Sequence, residues 1–149
     1  MSERGLVFIV DCDAGRAATL QELLEGDGYS VASTPKGEKA LEGIISAEPN
    51  LVLLDAHIAD IDPFVLLEEL KQTQHGRDIP VILMTHLEDS DARVKVLEAG
   101  DDLIVKPFES REVLARIERQ VTVSKMRMAL RESEAKFRSV MESAIDAII

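Results

Sequence analysis

The chain has 149 residues, 46% of them hydrophobic, and a formal net charge of −11. That is enough for one full domain with a real core and a short appendage, and the negative charge argues against nucleic acid as a direct partner because a phosphate backbone would be repelled. One cysteine rules out an internal disulfide framework and agrees with a reducing cytoplasm, while no segment has the apolar length of a membrane span and the opening residues lack a signal-peptide cleavage pattern.

In chain order, Leu6–Val10 reads as a strand and Gly15–Glu25 as a helix with Ala17, Leu20, Leu23 and Leu24 on one face. Gly26-Asp27-Gly28 stops that helix. Tyr29–Ser33 is a second strand, and Gly37–Ala47 a helix with Ala40, Leu41, Ile44 and Ile45 inward. Leu51–Leu54 has no alternation, the mark of a strand buried on both faces of a parallel sheet. Pro63–Gln74 is a helix opening on a first-turn proline, Val81–Met84 a fourth strand, Asp89–Ala99 a helix ended by Gly100, and Leu103–Val105 a fifth strand. A last helix starts near Ser110 and meets no proline, glycine or turn cluster before Ser143. Leu114, Ile117 and Val121 form one stripe on it; Met126, Leu130, Phe137, Val140 and Ala144 form another, out of phase with the first. An apolar stripe running past the globular body wants a partner, and a parallel coiled-coil homodimer satisfies it; an amphipathic helix folding back on its own domain is the alternative. Ala144–Ile149 reads as a strand-like run, as though the chain were cut at the threshold of another domain.

Alternating strands and helices with short connections give a right-handed, doubly wound α/β sandwich. Ionisable and hydroxyl groups collect at its strand ends: Asp11-Cys12-Asp13 after the first strand, Asp55 after the third, Thr85 after the fourth and Lys106 after the fifth. The carboxyl edge is where open α/β sheets place their chemistry. Clustered carboxylates suit a hard cation such as Mg²⁺, and an amine with a hydroxyl suits a phosphoryl group. No glycine-rich phosphate loop follows any strand, which counts against a nucleotide-binding enzyme. A nucleophilic or redox role for Cys12 is disfavoured by the carboxylates on either side of it.

Phe8-Ile9-Val10-Asp11-Cys12-Asp13, Leu51–Asp55, Pro80–Thr85 and Lys106-Pro107-Phe108 together resemble the receiver domain of two-component response regulators over residues 1–121. The resemblance implies a flavodoxin-like five-stranded parallel sheet of order 2-1-3-4-5 with helices on both faces and an extended C-terminal helix. It implies a regulatory domain, not an enzyme, in which Asp55 accepts a phosphoryl group from a sensor histidine kinase or phosphotransfer protein. Mg²⁺ would be held by Asp11, Asp55 and the backbone carbonyl of His57; Thr85 and Lys106 would stabilise the phosphoryl group. Residues 130–149 resemble the lead-in helix and opening of a PAS sensory domain, which divides the chain into a receiver (1–121), a linker helix (122–136) and a PAS start (137–149).

The chain departs from the family in the loop after Asp55, where Ala59 and Pro63 stand for the usual proline and glycine, and at two further residues. Cys12 stands at a usual ligand position, and a thiol is a poor ligand for Mg²⁺; Asp13 is a possible substitute. Leu103 replaces the aromatic ring whose rotamer reports phosphorylation. Both favour a second reading, a pseudo-receiver that docks or dimerises without phosphorylation.

Overall fold

A computed structural model describes residues 4–86 and 102–148. Five strands, β1 (Leu6–Val10), β2 (Ser30–Thr34), β3 (Leu51–Asp55), β4 (Val81–His86) and β5 (Asp102–Lys106), form one sheet of order β2-β1-β3-β4-β5. Every pairing is parallel. The helices are α1 (Ala14–Gly26), α2 (Ala40–Ala47), α3 (Pro63–Gln72) and a C-terminal helix, Ser110–Ile148.

Side chains alternate across the strands and split the core in two. Phe8, Val10, Val52, Leu54, Val81 and Leu83 pack under α2 and α3 through Ala40, Ile44, Leu66, Leu67 and Leu70. Val7, Ile9, Leu51, Leu53, Ile82, Met84 and Ile104 pack on the other face against Leu20 and Leu24 of α1 and Val113, Ile117 and Val121 of the C-terminal helix. All five residues of β3 are buried, as its unbroken apolar run requires. Asp102 ties β5 to the C-terminal helix, accepting from Arg116 at 2.6 Å and Arg119 at 2.9 Å.

Several expectations are corrected in detail. The predicted helix over 37–47 begins as a 3₁₀ turn at Gly37–Lys39, and Ile45 is 45% exposed instead of inward. α3 stops at Gln72, and Thr73 Oγ1 bonds back to Leu70 O at 2.7 Å. Val113, not Leu114, is the fully buried residue opening the first stripe. The strand-like run at the end is helical through Ile148, continuous with everything from Ser110. The helix expected over Asp89–Ala99 lies outside the described residues. No helix among the described residues is long and apolar enough to cross a membrane.

Gly76, in the 3₁₀ turn between α3 and β4, makes a close approach that no side chain fits. A Cβ there would stand 2.2 Å from both Leu70 O and Thr73 Oγ1. Gly76→Ala is therefore expected to cost about 2–3 kcal/mol in urea unfolding through forced displacement of the turn. Gly26→Ala, whose Cβ would meet nothing within 4 Å, serves as the control and should change stability by no more than about 0.5 kcal/mol.

Candidate functional site

Because the strands are parallel and nearly in register, their carboxyl ends bring Asp11, Asp55, Thr85 and Lys106 to one edge. All four are buried: Asp11 at 2%, Asp55 at 1%, Thr85 at 0% and Lys106 at 6% exposure. Lys106 Nζ donates to Asp55 Oδ1 at 2.6 Å, and the backbone N–H of His57 donates to the same oxygen at 3.0 Å. Asp11 Oδ1 accepts from the backbone N–H of Asp13 at 2.9 Å.

A residue that the strand-end reading missed completes the cluster. Arg16 lies in the first turn of α1, which Asp13 caps by accepting the Arg16 backbone N–H at 3.0 Å. Its side chain turns back over the sheet edge. Nε donates to Asp11 Oδ2 at 2.5 Å and Nη2 to Asp11 Oδ1 at 2.7 Å, a two-pronged pairing. The same Nη2 reaches Asp55 Oδ2 at 3.1 Å, so one guanidinium bridges both buried carboxylates.

These contacts set the electrostatics. Burial pushes the Asp55 carboxyl up, but the hydrogen bonds from Lys106 and His57 and the charges of Lys106 and Arg16 outweigh it and hold the group below the usual carboxylate range. Arg16 is raised chiefly by its hydrogen bond to Asp11. Asp13 is lowered chiefly by the Arg16 backbone N–H.

Thr85 Oγ1 lies 3.2 Å from His57 Nε2, and the His57 ring sits 4.8 Å from that of His86. The His57 ring thus engages the hydroxyl expected to act at the sheet edge, a contact the sequence pattern did not signal. Asp60 fastens the loop after β3 to the start of the 3₁₀ turn, accepting from Gly37 N–H at 3.1 Å and Glu38 N–H at 3.0 Å. Leu103 is half-buried against the α2–α3 side of the core.

The ligand atoms of Asp11, Cys12 and Asp55 lie within 4.8 Å of one another, with Cys12 exposed. Asp13 is outside this group and is committed to capping α1. As arranged, the group does not fit Mg²⁺. One donor is a soft thiol, and both oxygens of Asp11 and one of Asp55 are already hydrogen-bonded by Arg16. A cleft of about 780 Å³ elsewhere, between Glu48, His75, Asp78 and the C-terminal helix at Met128 and Arg138, touches none of these residues.

The family model described as response regulator receiver domain matches residues 7–118. Among curated proteins, the DNA-binding transcriptional regulator NtrC of Escherichia coli K12 is 34% identical over 121 residues, covering 80% of this chain and 25% of NtrC. Response regulator MprA of Mycolicibacterium vanbaalenii is 35% identical over 112 residues, 74% of this chain and 48% of MprA. The chain therefore spans less than half the length of these relatives. Among solved structures, the signal receiver domain of a signal transduction histidine kinase from Syntrophus aciditrophicus superposes with a TM-score of 0.73 at 31% identity, over 79% of this chain and 90% of that one.

Proposed function

The chain belongs to the response regulator receiver domain family, and from that premise we propose that Asp55 is its phosphoacceptor, loaded by a histidine kinase or phosphotransfer protein. The observation that carries this is the buried Asp55 carboxylate held 2.6 Å from the Lys106 ammonium, ionised and aimed at the sheet edge. In the transfer, an Asp55 carboxylate oxygen attacks phosphorus, the bond from phosphorus to the donor breaks, and the leaving group departs with the electron pair. Lys106 and Arg16 then face the added negative charge, and Thr85 lies within the cluster to receive a phosphoryl oxygen. Receiver domains bind Mg²⁺ at an acidic pocket; because this donor set does not fit the ion, no step here runs through it.

The domain is read as regulatory, with any output carried by the C-terminal helix. We assign residues 1–121 to the receiver, 122–136 to a linker helix and 137–149 to the start of a PAS domain. The exposed apolar stripe, with Leu130 at 60%, Phe137 at 68% and Val140 at 65% exposure, supports a homodimer through that helix. Cys12 and the Arg16 bridge favour the second reading, a pseudo-receiver that works without phosphorylation.

Intact-mass spectrometry after incubation with acetyl phosphate, with and without Mg²⁺, separates the two. One added phosphoryl group on the wild type and none on Asp55→Asn is the expected result. No adduct under either condition would leave docking or dimerisation as the domain's role.

A further inference from the structure

We propose that Arg16 is a tethered counter-cation occupying the place between Asp11 and Asp55 that a divalent ion would otherwise take, so that metal can enter only by expelling it. The inference concerns the same site as the phosphoacceptor reading but does not depend on phosphoryl transfer.

Charge is the first argument. The buried cluster contains two carboxylates, Asp11 and Asp55, and two cations, Arg16 and Lys106, joined by ion pairs of 2.5, 3.1 and 2.6 Å. It is neutral without a metal. With an acidic residue in place of Cys12 and no guanidinium, the same pocket would carry a surplus of two negative charges, which is what draws in a dication. Cys12 removes one of these charges and Arg16 another, so the two departures act in the same direction. A pocket with no surplus charge gives a strongly hydrated dication little reason to shed water.

Geometry is the second argument. Mg²⁺ needs direct contact with carboxylate oxygens at about 2.0–2.1 Å, and the oxygens that would supply it are the ones Arg16 engages. The fork on Asp11 uses both oxygens of a side chain that is itself fully buried. The guanidinium is also pre-positioned: the α1 N-cap fixes the Arg16 backbone, and the side chain is only 22% exposed. Little conformational entropy remains to be lost in keeping it there.

The test is divalent-ion binding, read by isothermal titration with Mg²⁺ and by electron paramagnetic resonance with Mn²⁺ as the probe. Arg16→Gln, which removes the charge but keeps a polar side chain, is expected to bind either ion on the order of 100-fold more tightly than the wild type. Arg16→Lys, which keeps the charge but loses the fork on Asp11, should bind with an affinity between those of the wild type and Arg16→Gln. Equal affinity in wild type and Arg16→Gln overturns the proposal. A measurement on the wild type alone guards against a variant that does not fold. The hydrogen-bonded Arg16 Nε–H should give an exchange-protected, downfield-shifted proton resonance that persists through the millimolar range of Mg²⁺; its loss at sub-millimolar Mg²⁺ would overturn the proposal as well. Since neither readout uses phosphorylation, a failure here is separate from a failure of Asp55 as acceptor.

Discussion

Lys106→Met is expected to cost about 3 kcal/mol of folding stability at neutral pH and to slow phosphoryl incorporation by about 100-fold or more. Lys106 is buried, and its ammonium stands 2.6 Å from Asp55. Methionine fills similar volume without leaving a cavity, so the loss reports the charge and not the packing. Removing one partner of a buried pair leaves the other uncompensated, which typically costs about 3–5 kcal/mol. Arg16 still reaches the second oxygen of Asp55 at 3.1 Å, which places the cost at the lower end of that range. The pH dependence gives the check. In the wild type Asp55 is lowered in the folded state, so its stabilisation is present above the unfolded carboxylate value near 4 and is lost as pH falls through the lower folded value. Without Lys106 the upward push of burial loses its strongest opponent, and the carboxyl takes up its proton at higher pH than in the wild type. The stability gap between the two proteins should therefore narrow, in urea unfolding, as pH falls through the variant's folded value and close below the wild type's, which lies under the ordinary carboxylate value near 4. A gap that stays constant down to the acid limit of the folded state would assign the loss to packing and remove the electrostatic account.

Much of this arrangement is visible in the chain before any coordinates. Leu51–Leu54 could be placed as a central strand because its apolar run leaves no solvent face, and all of it is buried. Once the strands are parallel, the residue after each one lands on a common edge, so Asp11, Asp55, Thr85 and Lys106 follow from topology alone. Arg16 does not follow. Strand-end reasoning looks at the residues leaving a strand, and Arg16 belongs to the first turn of the next helix; only the Asp13 cap fixes the direction that brings its long side chain back. A usable signal was present: a lone cation five residues after Asp11 in an acidic segment, beside a ligand position that had lost its charge to Cys12. Nothing in the pattern marks the His57 ring, because its place after Asp55 points only to a backbone carbonyl and its contact with Thr85 depends on the loop's path. The end of the chain departs from its strand-like pattern for another reason. Ala144–Ile149 is short and apolar, a pattern that periodicity cannot assign to strand or helix, and the uninterrupted helix upstream decides it for residues through Ile148.

Phe137→Asp is expected to convert a dimer into a monomer, weakening self-association by about 100-fold or more in sedimentation equilibrium. The C-terminal helix has 39 residues, about 58 Å at 1.5 Å per residue. Its first part is held down by Val113, Ile117 and Val121, and the last buried residue is Ser124. From Val123 onward, Val123, Leu130, Phe137 and Ala144 recur every seven residues, interleaved with Met126, Ser133, Val140 and Ala147, the three-and-four spacing of a coiled-coil seam. Met126, Leu130, Phe137 and Val140 are each at least 60% exposed in the single chain, so the seam is unsatisfied as it stands. A helix this exposed gains little from its own propensity and depends on burying its apolar face. In the proposed homodimer a second copy would supply the same seam in register, with Phe137 in its middle, where an aspartate would be desolvated opposite its own counterpart. Asp78 is 2.8 Å from Arg131, an attachment on a different flank of the helix that leaves the seam free. Lys125→Asp, an exposed position outside the seam, should leave association within about twofold of the wild type. A wild type that stays monomeric at 100-fold above the concentration used for the mass measurements, or a Phe137→Asp variant that associates as tightly, would mean the helix serves its own chain and not a partner copy.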